Sequence, residues 1–115
     1  MSNDCLFCRI AAGEIPSHRV FENEEIVAFR DIAPQAPVHL LIIPRRHFAS
    51  LLEATAGDAR LTGRLLEVAA ELAREHGLAE NGFRVVCNTL ADGGQTVPHL
   101  HLHLLGGRAL TWPPG

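Results

Sequence analysis

The segment VPHLHLHLLGG, residues 97–107, places His99, His101 and His103 at alternate positions with leucines between them. Such alternation is typical of a β-strand with one face in the core and predicts a strand over residues 97–105. The leucines expected on the buried face are Leu100, Leu102 and Leu104. Neighbouring histidines on this strand would lie roughly 6 to 7 Å apart and the outer two roughly 13 Å apart, so one ion cannot easily bind all three. We therefore expect the histidines to have different tasks, unless they form only a polar sheet face or a two-histidine metal site.

Length and composition indicate one compact domain, residues 1–115. The chain has 115 residues, of which 47% are hydrophobic, enough for a single core and too few for two typical domains. Its net charge is −3, from 10 Lys and Arg against 13 Asp and Glu without a basic tract, so no nucleic-acid partner is expected. No stretch has the roughly 20 apolar residues of a membrane span, and the polar start lacks the features of a signal peptide. We therefore expect a cytoplasmic protein with reduced cysteines and no membrane partner.

The remaining segments predict an α+β domain. A short helix is expected over residues 5–12, and one long helix begins at Gly57-Asp58. The long helix has an apolar stripe at steps of three and four residues, formed by Leu61, Leu65, Ala69, Leu72 and Ala73. Strands are expected over residues 18–22, 25–30, 38–44, 83–88 and 97–105. Five antiparallel strands in meander order, with one long and one short helix, make an α+β fold.

The segment before the three histidines predicts an anion pocket. NTLADGGQTV, residues 88–97, supplies glycines that let backbone N–H groups approach an anion, together with uncharged amide and hydroxyl donors. By itself Asp92-Gly93-Gly94 is typical of a hairpin turn, but the histidines that follow favour a phosphate pocket beside a nucleophile. His39 either reaches the same site from the strand at 38–44 or is a core histidine.

At this point the chain resembles a known family. QTVPHLHLHLLGG resembles the motif of the histidine triad superfamily, and FRDIAPQAPVHLLIIPRRH, FRVVCN, DGGQTV and WPPG are similar to its HINT branch, so the resemblance covers nearly the whole chain. It implies that family's α+β fold and the activity of a bacterial nucleoside phosphoramidase. One departure is Pro98, where many relatives carry an aromatic residue; proline removes a ladder donor and is tolerated at the start or edge of a strand.

The resemblance implies covalent chemistry at His101. Its ring would attack the α-phosphorus of a nucleoside 5′-phosphoramidate, or of a related derivative such as an aminoacyl adenylate, and water would hydrolyse the nucleotidyl-histidine intermediate. A backbone carbonyl that accepts from one ring nitrogen would fix the tautomer that presents the other. His103 would protonate the leaving amine, and His99 and His39 would orient the site.

The resemblance also implies how a purine nucleotide is bound. Asp31 would accept from the ribose hydroxyls, since both oxygens of a carboxylate are acceptors. The residues expected around the phosphate are Asn88, Gly94, Gln95, Thr96, His101 and His103. The apolar residues expected around the purine are Leu6, Phe7, Ile10, Ile15, Phe29, Ile32 and Leu41.

Cys5 and Cys8 form a CxxC pair, which is either two buried helix thiols or half of a metal site. Thiolate and imidazole are ligands that Zn²⁺ prefers, and a closed tetrahedral site needs four of them. Relatives that keep this pair and the histidine of PRRH imply a structural zinc held by Cys5, Cys8, His47 and His99. No cofactor is expected to be required for the chemistry itself.

Two other functions remain open from the sequence. One is a Fhit-like dinucleoside polyphosphate hydrolase, and the other is a non-enzymatic module that binds zinc and nucleotide and acts through protein partners. A nucleophile between two other histidines, beside a phosphate loop, favours an enzyme. HINT-like proteins are two-fold dimers, which implies a homodimer in which Trp112, in the tail LTWPPG, completes the partner's site.

Overall fold

The computed structural model describes residues 4–115, which form an α+β fold as predicted. The helices are α1 (Leu6–Ala11) and α2 (Ala59–Glu75), and two short 3₁₀ turns at Leu51–Glu53 and Ala56–Asp58 precede α2. The strands are β1 (Arg19–Glu22), β2 (Ile26–Arg30), β3 (Val38–Pro44), β4 (Phe83–Val86) and β5 (Leu102–Gly106). Neither helix in this described part of the chain combines the length and the apolar character needed to cross a membrane.

The five strands form one antiparallel sheet in the order β1-β2-β3-β5-β4. The predicted meander therefore holds for β1 to β3, but β5 lies between β3 and β4. Burial explains this order. Leu102 and Leu104 of β5 are buried, whereas every residue of β4 is at least partly exposed, so β5 takes the interior position and β4 the edge.

The last strand begins at Leu102 and not at residue 97. Pro98 has no N–H to donate, and the next two N–H groups bond elsewhere: His99 donates to Val97 O at 2.8 Å and Leu100 to Phe48 O at 2.7 Å. His99 and His101 therefore lie in an irregular segment that leads into β5, and only His103 is within the strand. The inward leucines at 100, 102 and 104 are buried, as predicted.

The sheet has a different cover on each face. On one face α2 packs against alternate residues of β2 and β3, such as Ala28, Leu40 and Ile42. On the other face α1 packs against Val27, Phe29, Leu41 and Ile43 through a smaller cluster that includes Phe7 and Ile10. The central strands are therefore apolar on both faces, which explains the nearly continuous hydrophobic run VHLLIIP. The histidine segment lies on the α1 side, where the His101 ring meets the Phe7 ring.

The start and the end of α2 are each defined by local contacts. The 3₁₀ turn Ala56–Asp58, which leads directly into α2, has a capping box in which Thr55 N donates to Asp58 Oδ2 at 2.8 Å, and Arg46 forms an ion pair with Asp58 Oδ1 at 2.7 Å. At the end, Gly77 takes a left-handed φ of 76°, which stops the helix. The predicted apolar stripe is buried, and Val68, which the spacing did not select, is buried with it.

We predict that Leu72→Ala lowers the free energy of unfolding by about 2 to 5 kcal/mol, because Leu72 is fully buried between α2 and the sheet and truncation leaves a cavity. Urea unfolding followed by circular dichroism measures the change. Leu52→Ala is the matched control, since Leu52 is 72% exposed. Equal losses for the two variants would contradict this assignment of the core.

Candidate active site

A cavity of about 300 Å³ opens between α1 and the histidine side of the sheet. Its wall is mostly apolar, and its polar lining residues include His101 and His103 from the histidine segment and Asp31 just after β2. The predicted apolar residues all line it, namely Leu6, Phe7, Ile10, Ile15, Phe29, Ile32 and Leu41. Four lining residues were not predicted from the sequence: Pro16, Ser17, Arg30 and Val97. Pro16, Arg30 and Val97 adjoin a predicted residue in the sequence, and that adjacency was the only available signal, whereas Ser17 had none.

The ring of His101 has a defined tautomer. Its Nδ1 lies 2.6 Å from the backbone carbonyl oxygen of His99, and because a carbonyl can only accept, Nδ1 carries the proton. Nε2 is then left with its lone pair on a buried ring that lines the cavity. The Phe7 ring meets the His101 ring edge-on, with centroids 5.0 Å apart and an interplanar angle of 88°. An unprotonated Nε2 in this position is what a nucleophile requires.

A chain of hydrogen bonds also fixes the tautomers of His39 and His103. Gln35 N donates to His39 Nδ1 at 3.0 Å, so the His39 proton is on Nε2. His39 Nε2 in turn lies 2.9 Å from His103 Nδ1, to which it donates, and 3.4 Å from Asp31 Oδ2. The remaining proton of His103 is then on Nε2. His103 therefore offers the cavity an N–H donor, and His39 orients it.

Burial keeps both of these rings neutral at neutral pH. Burial, together with the nearby rings of His101 and His39, lowers the pKa of His103 to about 4, against the opposing charge of Asp31. The pKa of His39 is also lowered by burial, against the opposing charge of Asp31. Hydrogen bonds and burial therefore agree that the resting site contains a neutral donor at His103. His39, His103 and Asp31 place their polar atoms close enough to hold a cation, but the His39 proton on Nε2 occupies the position that a metal would need.

The predicted phosphate loop contributes to the site mainly through its shape. Of the loop residues predicted to bind phosphate, Thr96 lines the cavity, whereas Asn88, Gly94 and Gln95 do not. The Gln95 amide is engaged within the protein: Nε2 donates to Ala49 O at 2.7 Å and Val97 O at 2.9 Å, and Oε1 accepts from Leu90 N at 2.9 Å. Gln95 thus holds the loop that leads into the histidine segment.

A glycine is needed in that loop because its backbone approaches itself closely. A Cβ at Gly93 would lie 2.4 Å from Thr89 O, which is shorter than any permitted contact. Gly94 has a φ of 77°, in the left-handed region that favours glycine.

Next to the cavity, Cys5, Cys8, His47 and His99 bring one ligand atom each to within 4.8 Å of the others. The closest approaches are 3.2 Å from His99 Nδ1 to both Cys5 Sγ and His47 Nδ1, 3.3 Å from Cys8 Sγ to His47 Nδ1 and 3.4 Å from Cys8 Sγ to His99 Nδ1. Ligands of a tetrahedral zinc, at about 2.3 Å for sulfur and 2.0 Å for nitrogen, lie about 3.3 to 3.8 Å apart. His99 Nε2 donates to Pro44 O at 2.8 Å, which leaves Nδ1 unprotonated toward the cluster. The donor set and its spacing therefore fit zinc.

Two further residues, Cys87 and Trp112, lie outside both the cavity and the cysteine–histidine cluster. Cys87 is half-buried against the α2 side of the sheet, and burial raises the pKa of its thiol, as expected for a core thiol. Trp112 is 81% exposed on the C-terminal tail, whose backbone is held at Thr111 O by Arg84 at 2.8 Å. Within the described chain, the tryptophan ring is left largely uncovered.

Comparison with known proteins places this geometry in a family. The HIT domain model matches residues 12–110. An uncharacterized HIT-like protein of Synechococcus elongatus is 55% identical over 115 residues, which is all of both chains, and the purine nucleoside phosphoramidase of Escherichia coli is 44% identical over 96% of this chain and 92% of its own. The crystal structure of a HIT family hydrolase from Legionella pneumophila superposes with a TM-score of 0.96 at 55% identity, covering 97% of this chain and all of the other. The chain belongs to the HIT domain family.

Proposed function

We propose that this protein is a hydrolase that cleaves nucleoside 5′-phosphoramidates and related nucleoside monophosphate derivatives, such as aminoacyl adenylates. The observation that carries the proposal is the His101 ring, which is buried at the cavity with Nδ1 donating to the His99 carbonyl, so that in the neutral ring Nε2 carries the lone pair. The similarity to a purine nucleoside phosphoramidase supports the substrate class. The enzyme needs no cofactor for this chemistry.

In the first step, His101 Nε2 attacks the α-phosphorus. The Nε2–P bond forms, the P–N bond to the amine breaks, and the amine nitrogen takes up the proton that the protonated His103 gives up. In the second step, water attacks the phosphorus of the nucleotidyl-histidine, the Nε2–P bond breaks, and the proton of the water returns to His103, which releases His101 and the nucleoside monophosphate. Dividing the substitution in this way replaces one difficult step by two easier ones.

His103 acts on the phosphoryl group and on the leaving amine. In the resting protein it is neutral, so its Nε2–H donates to a phosphoryl oxygen, where negative charge develops. The negative charge of the bound phosphate raises the pKa of this ring, which brings it toward the protonated form that a general acid requires.

The nucleoside is bound by the wall of the cavity. Leu6, Phe7 and Ile10 on α1 and Phe29 and Leu41 on the sheet pack side by side and line the cavity, which gives a purine an apolar wall to lie against. The fully exposed Ile32 side chain at the rim gains burial when a base covers it. Asp31 accepts from the ribose hydroxyls with the lone pairs that Ala33 N, at 2.8 Å from Oδ1, leaves free. Thr96 contacts the phosphate, and Gln95 and Gly94 maintain the loop beside it.

We predict that His101→Ala abolishes hydrolysis of adenosine 5′-phosphoramidate but leaves adenosine 5′-monophosphate binding within a few-fold of wild type, because the nucleophile acts in the chemical step. Steady-state kinetics and calorimetry measure the two effects. His18→Ala, at an exposed histidine that does not line the cavity, is the control. Residual turnover within tenfold of wild type would remove His101 from this role.

The same assay separates the proposed activity from its alternatives. Faster turnover of diadenosine polyphosphates than of the phosphoramidate would indicate the Fhit-like reaction. Nucleotide binding without turnover of either substrate would indicate a binding module.

The Cys5, Cys8, His47 and His99 cluster holds a structural zinc in this proposal. We predict about one zinc per purified chain by elemental analysis, lost in Cys5→Ser because one of four ligands is removed. Cys87→Ala, which removes a thiol outside the cluster, is expected to keep the metal. If purified protein contains no metal and is as stable as protein with added zinc, the two cysteines are packed thiols and not zinc ligands.

The protein is also proposed to be a cytoplasmic homodimer of single-domain chains, with purine nucleotides as its small-molecule partners. Support comes from Trp112, whose large apolar ring is exposed in the isolated chain and gains burial against a second subunit. In a two-fold dimer both tails reach the other subunit's cavity, on the side of the leaving group.

We predict that deleting residues 112–115 leaves the dimer and nucleotide affinity mostly unchanged but alters the preference among amine leaving groups in kcat/KM. The deletion keeps Leu110 and Thr111, whose carbonyls accept from Arg84. Light scattering reports the oligomeric state. A monomeric wild-type protein, or an unaltered leaving-group profile, would contradict the role of the tail.

A further inference from the structure

His99 belongs to two sites at once. Its ring is fully buried, with Nδ1 among the cluster ligands and Nε2 bonded to Pro44 O at 2.8 Å. Its backbone carbonyl accepts the Nδ1–H of His101 at 2.6 Å. One residue thus supplies a ligand to the cluster and the acceptor that selects the tautomer of the nucleophile.

A second connection runs through α1. Cys5 caps this helix and Cys8 lies within it, and Phe7 between them packs edge-on against both His99 and His101, at 6.1 and 5.0 Å between ring centroids. The helix has six residues, and a helix this short is not stable through its own hydrogen bonds. Its position therefore depends on tertiary contacts, which are the cluster at its start and the packing of Phe7 and Ile10.

We propose that the metal centre positions the nucleophile. When metal is bound, the two cysteines and the His99 ring share one partner, so the His99 peptide and the Phe7 ring are held where they support His101. When metal is absent, the His99 carbonyl and the edge of the Phe7 ring, which both contact His101, are no longer held by one shared ion. His99 and Phe7 are therefore positioning residues, and the proposal rests on His101 being the nucleophile of the proposed function.

The coupling must also act in the opposite direction. Leu6, Phe7 and Ile10 of α1 line the cavity, so a nucleotide bound there packs against the helix that carries both cysteines. A metal that favours the bound position of α1 and a nucleotide that favours the same position must strengthen each other's binding. Adenosine 5′-monophosphate should therefore slow the loss of zinc to a chelator.

His47 allows the connection to be tested without altering either support of His101. It is the exposed member of the cluster, and its ring approaches Cys8 Sγ and His99 Nδ1 at 3.3 and 3.2 Å. His47→Ala removes one ligand and retains His99, Phe7 and both cysteines. His47→Cys is the conservative partner, because three cysteines and one histidine also form a zinc site.

We expect His47→Ala to lose zinc and to lower kcat by about tenfold to a hundredfold, as changes around an oriented group commonly do. At one fixed pH, the ¹⁵N spectrum of His101 should change from a single Nδ1–H tautomer in the wild type to a mixture in His47→Ala. His47→Cys should recover the zinc, the rate and the single tautomer together. A folded, metal-free His47→Ala with wild-type kcat and an unchanged His101 spectrum would overturn the proposal.

A second measurement covers the case in which His47→Ala does not fold. Zinc release from the wild type to a chromogenic chelator, with and without adenosine 5′-monophosphate, should slow at least several-fold in the presence of the nucleotide, and an unchanged release rate would also overturn the proposal. The spectrum and the release rate require no turnover. They therefore test the coupling even if the wild-type protein fails to hydrolyse phosphoramidates, which would contradict the proposed function alone.

Discussion

The pairing of β3 with β5 is the constraint on which the rest of the site depends. In this register Leu41 lies opposite His103 and His39 opposite Leu105, so the two histidines are diagonal neighbours on one face of the sheet. Residues 64 positions apart in the chain thereby come within hydrogen-bond distance. A shift of one residue would turn His103 toward the α2 side and separate it from His39, so the hydrophobic pattern that fixes the register also fixes the site.

The parts of the fold that follow from periodicity could be predicted from the sequence. The apolar stripe of α2 and the alternate leucines of the last strand are local consequences of burial on one side. The position of β5 between β3 and β4 is not a local property, because both candidate strands are apolar enough to pair. The residue at which β5 starts could not be predicted from the sequence either, because it depends on the hydrogen bond from Leu100 N to the carbonyl of Phe48, which is far away in the chain.

The same division applies to the candidate site. The family resemblance implied His101 and a backbone acceptor at its ring, but only the structure identifies that acceptor as the His99 carbonyl. The tautomer of His39 is set by a backbone N–H, that of Gln35, which any residue except proline would supply, so no sequence pattern marks it. The expected contact of Gln95 with phosphate stays a prediction, and the structure adds that its amide bonds to three backbone groups of the loop and its surroundings, which no sequence pattern marks.

The unequal cover of the two faces of the sheet separates what holds the protein together from what it acts on. The α2 face contains the larger apolar cluster and no predicted catalytic side chain, whereas the α1 face carries the cavity over a smaller cluster. Most of the folding energy therefore comes from residues that a ligand never meets. Such a scaffold can accumulate changes in its α1 wall, and so acquire new substrates over evolutionary time, while its opposite face preserves the architecture.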